Sequence, residues 1–310
     1  MISYSLVLCL GALISADGDD APSVRNGQAV PVRLRFVPGR RLVYRIENQR
    51  SFEQQGETWT SATRSTLSFQ TRKVEGDRAD IVCRFDRVIW SPPHKGEELL
   101  VFDSSKPAKG PEPPPFVALR KLVGQSFAVT LDTRGQILAM QDLTPAGQDP
   151  AANDPNVQGV VGEGQLRRML RTMYAWVPEQ PVGFHRPWSR SEEQELGIMT
   201  MTRTNTLQMT PTLRGRWKIA SRIDLSAQPG QGVANAKQKV VGELVSSDPG
   251  AAEIVFNPDT GRVESLQAHI GFQMKVVTTE ASKPEPTSVT QRVRASTVIE
   301  LLPSESARAN

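Results

Sequence analysis

Cysteine, histidine and long apolar runs are scarce in this chain, and each scarcity closes off a class of function. Of two cysteines, Cys9 lies in an apolar N-terminal run. Once that run is removed, Cys83 stands alone and no intrachain disulfide can form. Cys83 alternates with Ile81 and Phe85, which reads as a buried strand thiol rather than a reactive one. The three histidines, His94, His185 and His269, have no second His, Cys or carboxylate at a recognised metal-ligand spacing. No metal or other cofactor is therefore expected. Gly-x-Ser-x-Gly and Gly-x-x-x-x-Gly-Lys-Ser/Thr are both missing, so neither an α/β-hydrolase nucleophile nor a phosphate loop is indicated. Gly159-Val-Val-Gly-Glu-Gly164 precedes a helix, but no strand leads into it, and it reads as an entry loop.

Apolar length is confined to the N-terminus. Ile2 to Ile14 is mostly apolar, and no charged side chain precedes Asp17. The run is shorter than the ~20 residues a membrane helix needs and suits the apolar region of a secretory signal. A signal peptide over 1–16, cleaved after Ala16, and a flexible leader over 17–31 are expected. Leu8 occupies the place where a lipoprotein signal wants a small residue before Cys9. The implied location is secreted or periplasmic. No later stretch is long and apolar enough for a transmembrane helix.

The net charge is +4 and the pI near 9.2. Arginine supplies most of the cations, scattered along the chain instead of forming a dense basic run with interleaved aromatics, so no nucleic-acid partner is expected. Glu192-Glu-Gln-Glu195 clusters carboxylates that suit a cation or acid–base work, although a solvated charge run has the same composition. Outward Arg33, Arg35, Arg45, Arg292 and Arg294 suit an anionic surface or simply keep strands soluble.

What the chain has in abundance is alternation. Val32, Leu34 and Phe36 predict a half-buried strand, followed by a Pro38-Gly39 turn. Leu42, Tyr44 and Ile46 point one way along the next strand. After the Gln54–Glu57 turn, Trp59, Leu67 and Phe69 share one parity of a long strand. Gly76-Asp77 returns the chain into Ile81–Phe85, where the apolar parity switches before Val88 and Trp90. A β-bulge near Asp86-Arg87 is predicted. Residues 91–115 read as a loop ending in a stiff proline run, Pro111–Pro115, and 116–123 as a short helix. Phe127, Val129 and Leu131 alternate into the Asp132–Gly135 turn, and 136–143 returns. Later strands follow Trp217–Leu225, Lys239–Val245, Ile254–Phe256, Leu266–Val276 and Val289–Leu301, with a turn at Asn257–Gly261.

One stretch has a helical period instead. Leu166, Met169, Leu170, Met173, Tyr174 and Val177 build an apolar stripe, with Arg167, Arg168 and Arg171 opposite and Pro178 as the stop. Clean one-sided alternation means antiparallel sheet with one wet face, and long twisted strands curl to bury the other. The predicted fold is mainly β with one central helix (α+β). Its long antiparallel strands curl into a roll or half-barrel around that helix. The division is 32–143 as a first β-rich half, 144–187 as loop and central helix, 188–303 as a second half and 304–310 as a tail. Phe127–Gly135 and Ala252–Gly261 share a strand, acidic turn and glycine. That suggests two related halves, though hairpin chemistry alone produces the same match.

Leu34-Arg-Phe-Val-Pro-Gly-Arg-Arg-Leu-Val-Tyr-Arg45, the 166–177 helix with Pro178-Glu-Gln-Pro-Val-Gly183 and Trp188, and Phe256-Asn-Pro-Asp-Thr-Gly-Arg-Val263 occur in that order. Together they resemble an uncharacterised family of secreted bacterial β-rich proteins, a domain of unknown function. The resemblance spans 32–302 and implies secretion and sheet architecture, with no catalytic residues to transfer.

The functional expectation is a non-catalytic envelope protein holding an apolar ligand, such as a lipid or lipidated partner, in a groove between sheet and helix. Leu166, Met169, Leu170 and Met173 are its candidate ligand-binding residues. The alternative is a structural or protein-interaction module of the envelope. A hydrolase with carboxylates gathered from separate strands is the third reading.

Overall fold

The computed structural model describes residues 28–95, 101–108, 110–143, 162–195, 198–212, 214–229, 233–234, 238–280 and 285–303. The expected signal peptide, the 144–158 loop, the 304–310 tail and most of the leader lie outside these residues.

The chain is mainly β. Its strands are β1 (Ala29–Val30), β2 (Arg41–Gln54), β3 (Glu57–Glu75), β4 (Arg78–His94), β5 (Phe102–Asp103), β6 (Ser126–Asp132), β7 (Ile137–Asp142), β8 (Val182–Gly183), β9 (Trp188–Glu195), β10 (Met199–Pro211), β11 (Trp217–Pro229), β12 (Val233–Ala234), β13 (Gln238–Asn257), β14 (Arg262–Glu280) and β15 (Thr287–Leu301). Among the described residues two helices interrupt them, α1 (Pro114–Leu122) and α2 (Glu163–Tyr174). One antiparallel sheet runs β7-β6-β4-β3-β2-β15-β14-β13-β11-β10-β9, with β5 beside β4 and β12 beside β13. Among the described residues β7 and β9 end this sheet, and no ladder joins them into a closed barrel. The first and last long strands, β2 and β15, pair from Tyr44–Leu301 to Gln54–Gln291. The 32–143 and 188–303 segments thus share one sheet. They also share one core, in which Leu67 and Phe127 belong to the same buried cluster as Met209 and Ile254.

The alternation seen in the sequence sets the inner face. Tyr44, Ile46, Leu67, Phe69, Ile81, Cys83 and Phe85 are all buried. Thr66 pairs with Arg87 and Leu67 with Phe85, leaving Asp86 as the bulged residue. That extra residue is what lets Val88 and Trp90 stay buried after the parity change. The stripe of α2 is buried as predicted by its spacing, with Leu166, Leu170 and Met173 fully enclosed.

Five expectations need correction. Val32–Phe36 is extended but belongs to no strand. Val32 and Leu34 are buried, yet the backbone bonds go to turns: Leu34 N–H donates to Thr133 O (2.8 Å) and Arg35 N–H to Gly261 O (3.0 Å). The segment straps two hairpin turns together. Helix α2 ends at Tyr174, before Pro178: Ala175 N–H still bonds to Arg171 O in the helical pattern, and the chain then tightens, with Val177 N–H bonded to Tyr174 O. The 91–115 region is only partly a loop. Strand β4 continues to His94, β5 returns to pair with it, and Phe102 covers Phe116, its ring centroid 5.4 Å away. Pro114 and Pro115 open α1 instead of extending the proline run, as suits a residue without an N–H at a helix start. Lys239–Val245 and Ile254–Phe256 are parts of one strand, β13, whose register shifts near Ser246 and Ala251. Strands β9 and β10 have no counterpart in the sequence reading.

In the Asp132–Gly135 turn, Gly135 has φ +78°, and a Cβ there would stand 2.3 Å from Tyr174 Cβ. Gly76 has φ +59° with nothing within 4 Å of the corresponding position. Gly76→Ala should therefore cost only the left-handed backbone term, about 1–2 kcal/mol. Gly135→Ala should add overpacking against α2, for roughly 2–5 kcal/mol in all. Urea midpoints of the two variants check the order.

Buried Asp103 accepts from Arg87 Nη2 (2.8 Å) and Nε (3.2 Å) and from Ser105 N–H (3.0 Å) and Oγ (2.8 Å). The Arg87 bonds, with those from Ser105, hold its carboxyl well below the usual carboxylate range. A depressed folded-state pKa gives stability that is complete above the unfolded value, about 3.9, and is lost as pH falls toward the folded value. Asp103→Asn should cost about 1–2 kcal/mol near neutral pH, and the gap to wild type should narrow below about pH 4 in urea unfolding.

Candidate functional site

On the inner face of the sheet, the alternation that builds the core breaks down partway along several strands. In β2 the inward series Tyr44, Ile46 continues as Asn48, Arg50, Phe52. In β3 it starts with Ser61 and Thr63 before Leu67. In β10 it runs Met199, Met201, Arg203, Asn205, Leu207, Met209. Small and polar residues at these inward places leave an open groove of about 480 Å³ against the solvent side of α2. That volume is within the range of about 300–1,000 Å³ typical of small-molecule sites.

The groove has two chemistries. Ile46, Phe52, Trp90, Met169, Ile223 and Ile270 supply apolar wall, and Ala268, Ala295 and Ile299 continue it along β14 and β15. Opposite these stand Arg50, Arg168, Arg171 and Arg203, with Glu192 the one carboxylate among the described lining residues. Asn48 Oδ1 accepts from Thr297 Oγ1 at 2.8 Å, tying β2 to β15 beneath the opening. The groove also touches both buried clusters. The main one holds Ile46, Trp90 and Ile299, and the smaller one is Met199, Met201, Ile223 and Leu225 with Ile270 packed on it.

Its charges are unevenly compensated. Glu192, on β9, is paired in the ladder with Arg203 on β10 and lies 3.6 Å from Arg171 Nη1. Arg203 Nε donates to Asn205 Oδ1 (3.1 Å), and Arg168 Nη2 to Gln165 Oε1 (2.9 Å), both neutral acceptors. Burial pulls the Arg203 guanidinium below the ordinary arginine value, and the Glu192 charge opposes it. Burial, followed by the Arg50 charge, pulls Arg168 the same way.

Of the four residues singled out in the sequence, Met169 lines the groove. Leu166, Leu170 and Met173 sit in the main core, none more than 1% exposed. The helix presents Gln165, Arg168, Arg171 and Thr172 to the opening beside Met169, so the face toward the groove is its polar one. The expected purely apolar groove is thus amphipathic. Glu192–Glu195 falls on strand β9, where successive side chains point to opposite faces, so Glu192 reaches the groove and Glu193 does not share its side. His94 is not in a solvated loop: at the end of β4 it contacts Thr60 Oγ1 (3.2 Å) and Pro92 O (3.0 Å). His185 is exposed with φ +62°, and it is Phe184 that packs, edge-on to Trp217 with centroids 5.7 Å apart. His269 stands at the groove rim. Among the described residues, no three His, Cys, Asp or Glu side chains gather into a metal-binding group.

The sequence reading missed Arg203, Arg168 and Arg50 as site residues. Their signal was present: a charged residue at an inward place of an otherwise apolar parity, in β2 and β10.

No family model matches the chain, and no curated protein matches it. Similar solved structures include one of lipid–protein interactions in lipovitellin, at 8% identity and TM-score 0.47, covering 87% of this chain and 26% of that one. The chain thus spans about a quarter of the lipovitellin chain. OpdQ of Pseudomonas aeruginosa matches at 7% identity and TM-score 0.20, covering 85% of this chain and 98% of its own. OccK5 (OpdH) of the same organism matches at 6% and 0.21, covering 86% and 99%. With TM-scores below 0.5, these likenesses carry no functional argument.

Cys83 is 1% exposed, and burial pushes its thiol far above the ordinary value. It should resist alkylation by iodoacetamide in the native protein and react once urea unfolds the chain, as read by mass spectrometry.

Proposed function

We propose that this chain is a non-catalytic binding protein of the cell envelope, secreted or periplasmic, whose long sheet curls as a roll or half-barrel over α2. It holds the apolar part of a ligand such as a lipid in the groove between sheet and helix. The observation that carries this reading is the groove itself. Its apolar wall is drawn from β2, β4, α2, β11, β14 and β15, and an apolar wall with a few convergent polar groups is the usual form of a ligand site. Consistent with a protein that works in an aqueous compartment, no described helix is long and apolar enough to cross a membrane. The membership of the secreted β-rich family and the cleaved signal at 1–16 are part of the same proposal.

A second reading, an envelope interaction module, draws support from the β7 edge. Leu138 and Leu143 are exposed there by 46% and 48%, beside a strand whose outer backbone has no ladder partner among the described residues.

Oleyl alcohol separates the two, because it offers an apolar chain without charge. It should bind the purified protein and quench or shift tryptophan emission through Trp90. Ala295→Phe, which fills the groove from β15, should weaken that binding about tenfold or more while leaving the thermal midpoint of the free protein within a few degrees. Absence of binding of both oleyl alcohol and oleate by the wild-type protein would remove the ligand reading and leave the interaction module.

A further inference from the structure

We propose that the ligand is an acyl amphiphile with an anionic head, and that Arg168 and Arg203, assisted by Arg50, bind that head. This rests on the groove reading above and names the chemical class of its ligand.

Several arginines of the outer surface are met by carboxylates: Arg45 pairs with Glu300, Arg64 with Glu47 and Arg84 with Asp86. Arg50, Arg168 and Arg203 come from three different elements and converge on one groove. Among the described residues none of the three forms an ion pair with a carboxylate, and the polar contacts of Arg168 and Arg203 are to amide oxygens. Among the described lining residues Glu192 is the one carboxylate beside four guanidiniums, an excess of three positive charges.

Such an arrangement is costly when empty. Like charges oppose each other, so Arg50 disfavours the charge of Arg168, and partial burial disfavours that of Arg203, while Arg50 and Arg168 are themselves exposed. A bound anion removes both penalties and gains charge-assisted hydrogen bonds, for which the planar guanidinium is suited to carboxylate or phosphate. A small inorganic anion would satisfy the arginines but leave Met169, Ile223 and Ile270 uncovered. An uncharged lipid would cover those residues and leave the arginines unanswered. Only an amphiphile meets both sides.

The test compares oleate, oleyl alcohol and inorganic phosphate by titration calorimetry against the full-length protein. The expected result is oleate bound at least about tenfold tighter than oleyl alcohol, with the advantage shrinking as salt rises. Arg168→Gln and Arg203→Gln together should abolish that advantage while oleyl alcohol still binds as to wild type, which also shows that the variant folds. Arg203→Lys, keeping the charge, should retain part of it. Equal affinity for oleate and oleyl alcohol would overturn the anionic assignment and leave the groove reading standing. Failure of both lipids would overturn the groove reading and this inference with it. Phosphate binding without lipid binding would assign a simple anion site and likewise overturn the proposal.

Discussion

The structure is governed by a mismatch of length. Strands β3, β13 and β14 have 19, 20 and 19 residues, so each extends roughly 60 Å at about 3.3 Å per residue. Helix α2 has 12 residues and reaches only about 18 Å. One helix therefore covers less than a third of the inner face it packs on. The face beyond its reach is covered by the sheet's own side chains and by α1, whose Phe116 and Leu119 are buried in the main cluster, or is left open. The main cluster under α2, the smaller Met199–Met201–Ile223–Leu225 cluster and the groove that touches both are the three outcomes of that constraint.

Keeping so large a sheet in one shape needs cross-links at the covered end. Strap 32–36 supplies two of them by bonding to Thr133 and Gly261, turns that belong to opposite halves of the chain. Tyr44, on β2, adds another: its hydroxyl donates to Val263 O at 3.1 Å across β15 and β14. Aromatic rings complete the link from the helix. Trp176 meets Phe256 at 5.5 Å, Phe256 meets Trp217 at 5.7 Å, and Trp217 meets Phe184 at 5.7 Å. The Trp176–Phe256 and Phe184–Trp217 pairs are edge-on and the Trp217–Phe256 pair is tilted; aromatic pairs contribute about 0.5–1.5 kcal/mol each beyond burial. The groove thus lies beside a region where backbone, hydroxyl and aromatic contacts all converge, which holds its walls in register without their having to fill the space.

Much of this was legible in the residues. Apolar parity located β2, β4, β6, β11, β14 and β15, the parity change at Phe85–Val88 located the bulge, and the 3.6-residue period located α2. Two kinds of information were not local. Val32–Phe36 carries the alternation of a strand because its side chains are buried alternately. Its hydrogen bonds go to turns about 100 and 226 residues away, which no pattern in five residues encodes. Strand β10 failed for the opposite reason. Met199, Met201, Leu207 and Met209 keep strict parity, but Arg203 and Asn205 stand between them and make the run look irregular. Arg203, one of the two residues that hid the strand, lines the groove, a coincidence expected wherever function overrides local consistency.

The same logic weighs the arginines against a merely structural role. A charge at an inward place stabilises a fold when a carboxylate meets it, as Arg87 meets Asp103. Arg203 has instead a neutral amide at 3.1 Å, and Glu192, its partner in the ladder, lies 3.6 Å from Arg171 Nη1. If inward polarity served only to keep the open face wet, short neutral residues such as Ser61, Thr63 and Thr297, already in the lining, would do so without the desolvation that burial imposes on a guanidinium. On the same strand as Met199 and Met201 of the smaller buried cluster, Arg203 is itself only half-buried and lines the open groove. The cost is then a standing electrostatic bias toward anions. In the free protein that bias is partly relieved by water entering the open groove. An anionic head whose tail displaces that water would meet guanidiniums in a lower dielectric, where each hydrogen bond is stronger than in the open site. Tail and head would therefore reinforce each other, so the apolar wall and the arginines act as one site.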